Sequence, residues 1–178
     1  MLQASTQPHR SVLDVDGERL SVRRLERADR DGVAALFDRL GPESRYRRFH
    51  GPKVSLGQRE LDYLSDVDHL WHEAFTVVDN RDGRLLGVSR YIVRADDPAV
   101  ADVAVEVADD VQGLGIGTLL TRQLVDRARA TGIERLEATT FWSNTPARAL
   151  MRRLGFRACA SHSNVLELVL PLDPRRPS

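Results

Sequence analysis

The chain has 178 residues, 42% of them hydrophobic and 29% charged, with 26 basic against 26 acidic side chains. That length and composition suit one globular domain with its own core. The balanced charge excludes bulk electrostatic binding of nucleic acid. Cys159 is the only cysteine, which excludes an internal disulfide and a cysteine metal cluster. No segment has the apolar length of a membrane span or the apolar core of a signal peptide, so a cytoplasmic protein with no membrane partner is expected. Residues 1–18 are polar and read as a flexible N-terminal segment, 19–172 as the folded domain and 173–178 as a C-terminal tail.

In chain order, "RLSVRRL" (19–25) alternates as a strand does. The stretch 28–45 reads as a helix with Val33, Leu36, Phe37 and Leu40 on one stripe, stopped by Gly41-Pro42. "PESRYRRFHG" is a short second helix whose arginines read as a solvated face, with Tyr46 and Phe49 packed. "LGQRELDYLSD" gives a further turn or two, Leu61 and Leu64 inward. "HEAFTVVD", "RLLGVSRYIVR" and "ADVAVEVA" are three strands of an antiparallel meander, because their connections are too short for crossovers. Trp71 and Phe75 are expected in the core. His69 and His72, with Asp66, Asp68 and Glu73, are compatible with a metal pair, an acidic rim for a cationic substrate, or a solvated loop, the last favoured; no metal is expected. The pattern then turns helical at Ile116, Leu119, Leu120, Leu124 and Ala128. A strand (133–141), a helix (144–155) and a closing strand (165–172) follow. Trp142 either walls a site or packs. The fold class is therefore α+β.

The most informative stretch is "VADDVQGLGIGTLL" (107–120), a strand, then glycines at 113, 115 and 117, then a helix. N–H groups at a helix start, freed of Cβ atoms, form an anion site. No lysine follows, so this is not a P-loop, and Thr118 stands where a Rossmann fingerprint has its third glycine. The spacing Gln112-x-x-Gly115-x-Gly117 resembles the Q/R-x-x-G-x-G/A motif of the GNAT family of N-acetyltransferases. The likeness extends over about 19–171, includes "NTPARALMRRLGF", and is most like the catalytic domain of bacterial protein lysine acetyltransferases.

That resemblance implies a GNAT fold: a mostly antiparallel twisted sheet of six to seven strands, with a splayed pair at its fourth and fifth strands and about four helices around it. It implies acetyl-CoA as acyl donor, its pantetheine on Val105, Val107 and Ala108 and its pyrophosphate on Gln112, Gly113, Leu114, Gly115, Ile116, Gly117 and Thr118. Asn144 matches a residue that touches pantetheine; a helix N-cap is the equal alternative. Asp102 and Glu106 are the candidate bases, on one face of the strand with Ala104. Asp102 is favoured because it falls where the lysine-acetylating relatives carry a glutamate. Met151 replaces the family's usual acid, a tyrosine. The implied reaction is direct transfer of an acetyl group to a primary amine, foremost a protein lysine. A small amine, amino acid or antibiotic acceptor, and a non-catalytic acyl-CoA sensor, are the alternatives. A homodimer stays open.

Overall fold

The computed structural model describes residues 12–15 and 18–172. The N-terminal segment expected to be loose lies outside the described residues, except for Val12–Val15 and Glu18, which take part in strands, and the tail 173–178 lies outside them entirely. The strands are β1 (Val12–Val15), β2 (Glu18–Arg24), β3 (His72–Asp79), β4 (Leu85–Val93), β5 (Val100–Val107), β6 (Arg135–Phe141), β7 (Arg157–His162) and β8 (Val165–Pro171). They form one sheet in the order β1-β2-β3-β4-β5-β6-β8-β7. Among the described residues five α-helices accompany it: α1 (Arg30–Asp38), α2 (Pro42–Phe49), α3 (Gln58–Ser65), α4 (Ile116–Ala130) and α5 (Thr145–Arg153). The α+β class and the mostly antiparallel sheet are as expected. The count of eight strands exceeds six to seven because β1 and β7 add short hairpin partners at the two edges.

The helices form where their stripes can be covered. Val33 and Leu36 of α1, with Leu61 and Leu64 of α3, bury against Ala74, Leu85 and Val88 on one face of the sheet, while the buried Phe37 of α1 meets Phe49 edge-on at 5.7 Å. On the other face, Leu124, Val125 and Ala128 of α4 pack with Tyr91, Val103 and Leu136, and Met151 of α5 joins them. Leu40 closes α1, and Pro42 opens α2 at a position where its missing N–H costs nothing. The Glu60 carboxylate accepts from the Gly57 N–H at 2.9 Å and caps the start of α3.

Trp71 departs from its expected core position and is 55% exposed. It precedes β3 in a loop pinned by Asp68, whose Oδ1 accepts the N–H groups of Leu70, Trp71 and His72. The side chain leaves the surface before the strand's alternation begins. Phe75 is partly buried against the core.

The feature that positions the site is the one parallel pairing among the described residues. β5 and β6 are in register only over Val100–Asp102 with Arg135–Glu137. β4 holds β5 along its length from Ala101 to Val107 with no bulge, and β8 holds all of β6. Each strand of the pair is thus pulled to its own neighbour, and the pair opens from Asp102 onward.

Candidate active site

The gap between β5 and β6 is a cleft of about 810 Å³ that runs through the sheet. Its lining takes β5 from Asp102 to Val107, β6 from Glu137 to Thr140, the start of α4 on one face, and Ser44, Arg47, Arg48 and His50 on the other. Pro146, Ala147 and Leu150 of α5 complete the α4 side.

At one end stands the glycine turn. Gly113 and Gly115 have φ of 83° and 86°, the left-handed region that a side chain disfavours. Gly117 is helical, but a Cβ there would meet Leu150 Cδ2 at 3.2 Å, so its absence lets α5 approach α4. The earliest backbone bond of α4 runs from the Leu119 N–H to the Gly115 carbonyl at 3.0 Å. The preceding N–H groups, Gly113 to Thr118, therefore open α4 without helical partners. One ion pair and one hydrogen bond hold the turn in place. Arg39 grips both Asp110 oxygens at 2.8 and 2.7 Å, which lowers the Asp110 pKa, and Asp109 accepts from the Gly41 N–H at 2.9 Å.

Of the expected cofactor residues, Val105, Val107, Gln112, Gly113, Gly115, Ile116, Gly117, Thr118 and Asn144 line the cleft. Ala108 and Leu114 do not. Ala108 is wholly buried and its N–H is spent on the Leu86 carbonyl at 3.0 Å, while Leu114 is 41% exposed. Gln112 donates from Nε2 to the Val107 carbonyl at 3.1 Å, tying the turn back to the end of β5. Asn144 is the N-cap of α5, its Oδ1 accepting from the Ala147 N–H at 3.3 Å, and it borders the cleft from that position.

The two candidate carboxylates share a face of β5 but not an environment. Asp102 stands where the strands part, its side chain 56% exposed. Arg94 forks onto both its oxygens at 3.1 Å and also reaches Glu137 at 2.8 Å, so it clasps β4, β5 and β6 together. This hydrogen-bonded pairing raises the Arg94 pKa. Glu106 lies four residues nearer the glycine turn and is buried. Its Oε2 accepts from Arg48 Nε at 3.1 Å, and Arg90 Nη2 lies 4.0 Å from Oε1. Arg90 is itself buried, which pushes its pKa down to about 10, and Nη1 donates to the Leu64 carbonyl and to His72 Nε2.

The structure gives several side chains of the second helix a part in the site. α2 reads as a solvated basic face, yet Arg48 holds β5 through Glu106, while Tyr46 and His50 stack on Phe141 of β6 at 5.3 and 5.1 Å. α2 therefore bridges the two parted strands. No short-range spacing signals this; the only hint is the pair of aromatics inside an arginine-rich helix. Trp142 is not in the cleft lining: Arg148 covers it at 4.5 Å and its Nε1 donates to Ser161 Oγ. Met151 is buried in the lining and carries no proton to give.

Nor do the histidines converge. His69 Nδ1 meets Glu73 at 2.5 Å, whereas His72 faces Arg90. Glu73, read as part of a solvated loop, is fully buried in β3 and held by Arg24 and Arg127 at 3.0 and 2.8 Å. Among the described residues, no group of three or more His, Cys, Asp or Glu could hold a metal. Among them too, no helix is long and apolar enough to cross a membrane.

The chain matches the model of the acetyltransferase (GNAT) family over residues 42–156. It is 34% identical over 143 residues to Acetyltransferase PA5475 of Pseudomonas aeruginosa, covering 79% of this chain and 76% of that protein. It is 32% identical over 113 residues to Acetyltransferase Pat of Mycolicibacterium smegmatis, covering 64% of this chain but only 34% of Pat. The fold is like that of the GNAT domain of S. lividans PAT, with a TM-score of 0.84 at 23% identity over 92% of this chain and 97% of that one. The parted strands, the glycine turn with unpaired N–H groups and these matches agree: the chain belongs to the GNAT family and is an acetyl-CoA-dependent acetyltransferase.

Proposed function

We propose that the acceptor is a primary amine, the side chain of a lysine in a protein, and that the acetyl group passes to it directly within the cleft. The observation that carries this reading is the cleft's passage through the sheet. Acetyl-CoA has an anion cradle on the α4 side, and an amine has a separate way in from the α2 side, beside Asp102. The N–H groups from Gly113 to Thr118 would hold the pyrophosphate. The edges of β5 beyond Asp102, unpaired with β6, would take the pantetheine as an added strand does. An extended arm of about a dozen bonds spans roughly 14 Å, or about four strand residues. From the level of Ala108 that puts the thioester beside Ala104, between the two carboxylates.

A lysine at neutral pH is protonated, and freeing its lone pair costs about 4–5 kcal/mol. Asp102 is the proposed acceptor of that proton, directly or through a water. It is the exposed carboxylate of the pair, and Arg94 can keep Glu137 while an ammonium takes one Asp102 oxygen. The amine nitrogen then attacks the thioester carbon, the C–S bond breaks, and the thiolate leaves. The nitrogen, cationic after attack, releases its second proton to solvent, and the thiolate, whose thiol has a pKa near 8.5, takes one up from solvent, so the methionine at 151 is no bar to turnover. Glu106 serves to hold α2 through Arg48. Cys159 lies on β7, outside the cleft lining, and takes no part.

The test is release of free CoA thiol with lysine peptides and, separately, with small amines, the products weighed by mass spectrometry. Acetylated lysine in the peptides supports the reading. Turnover of small amines alone would reassign the acceptor, and binding of acetyl-CoA without any turnover would leave a sensor.

A further inference from the structure

Beyond the cleft, the α2 side of the sheet carries a continuous row that leads away from Asp102. His72, Ile92 and Asp102 are cross-strand partners on β3, β4 and β5. Partners in register point to the same side of a sheet, at about 4.8 Å per strand, so His72 stands roughly 10 Å from Asp102. Tyr63 of α3 stacks on the His72 ring at 5.7 Å and is 57% exposed. Nothing in the fold requires a tyrosine to stand half in water there; the inward residues of α3 are Leu61 and Leu64.

The loop that follows α3 shows the same character. Leu70 and Trp71 are 74% and 55% exposed, although Asp68 and the His69–Glu73 contact make the loop rigid. Its end adjoins the site, because the Val93 N–H donates to the Trp71 carbonyl at 2.8 Å, one residue before Arg94. Of the five carboxylates from Glu60 to Glu73, Glu73 is buried between Arg24 and Arg127, Glu60 meets Lys53 and Asp62 meets Arg30, which leaves Asp66 and Asp68 as the exposed acidic groups of this stretch outside those pairs. Exposed aromatics on a braced loop and helix, beside the exposed Asp66 and Asp68 and next to the acceptor's way in, describe a recognition face rather than a plain solvated one.

We propose that Tyr63 and the Leu70–Trp71 loop dock the polypeptide that flanks the acceptor lysine, and that they favour flanks that are basic and carry an apolar side chain. This rests on the reading of the acceptor as a protein lysine. It names where specificity for the protein resides, apart from the residues that handle the amine itself.

The experiment compares three acceptors with acetyl-CoA: a lysine-centred peptide with arginine and leucine flanks, the same peptide with glutamate flanks, and Nα-acetyl-lysine amide. The wild type should prefer the arginine-flanked peptide. Tyr63→Ala and Trp71→Ala should each raise KM for that peptide about tenfold, with KM for acetyl-CoA and turnover of the small amide unchanged. Asp66→Lys, at an exposed position, should narrow the preference for basic over acidic flanks. Equal losses on peptide and amide, or no loss on either, would overturn the proposal while leaving lysine acetylation intact. No peptide acetylation by the wild type would remove the acceptor reading, and the docking face with it.

Discussion

Replacing Gly115 by alanine separates the two demands made on the glycine turn. Gly115 caps α4 with φ of 86°, and a Cβ built there meets no atom within 4 Å. The protein would lose no packing; it would bear only the strain of a left-handed alanine, about 1–2 kcal/mol. For a domain of this size that is a fall of roughly 2–8 °C in Tm. The larger effect should fall on the cofactor, since the methyl group stands in the cradle where a phosphate approaches bare backbone. A loss of about 1.4 kcal/mol in binding is tenfold in Kd. The assay is thermal melting across an acetyl-CoA titration, in which a ligand that binds only the folded state raises Tm with the logarithm of its concentration over Kd. Gly117→Ala is the control at helical φ, where the new methyl meets the movable end of Leu150 at 3.2 Å. The reasoning is refuted if Gly115→Ala lowers the apo Tm yet binds acetyl-CoA as the wild type does. It is refuted equally if the apo Tm does not fall at all.

Three further outcomes follow from the geometry. Asp102→Asn should lower kcat by about 10²-fold or more while acetyl-CoA still raises Tm, and undiminished turnover would move the base to Glu106. Glu73→Ala removes the buried carboxylate that Arg24 and Arg127 share, and because both arginines are partly exposed and can rehydrate it should cost about 1–3 kcal/mol in urea unfolding; a cost under about 0.5 kcal/mol would show that the cluster is not holding β3 to α4. His72 has its pKa lowered to about 4 by burial and by the Arg90 charge. The unfolded chain, at about 6.5, therefore binds a proton that the folded one refuses. His72's contribution is complete above pH 6.5 and is lost as pH falls from there towards 4, by up to roughly 1.4 kcal/mol per pH unit. His72→Gln, which can still accept from Arg90, should flatten that slope, and an unchanged slope would place its origin elsewhere.

The sequence by itself determined most of the elements and the glycine turn that opens α4. Stripes such as Val33, Leu36 and Phe37 declare a helix because burial repeats with the helical turn, while the run 72–79, closed by the turn residues Asn80, Asp82 and Gly83, and the alternation of 101–107 declare strands. The glycine turn was legible because its chemistry is local: backbone N–H groups, their spacing and the helix they open lie within a dozen residues. Only the tertiary structure decided which charges are buried and with whom. Glu73 meets arginines 49 and 54 residues away, and Glu106 meets Arg48 at a separation of 58. An ion pair is a property of two distant positions brought to one place, and a carboxylate in a strand looks the same in sequence whether it is solvated or clasped. For the same reason "RYRRF" read as a solvated face and became the bridge over the parted strands. Tyr63 and Trp71, too, acquire meaning only through the register that sets His72, Ile92 and Asp102 in one row.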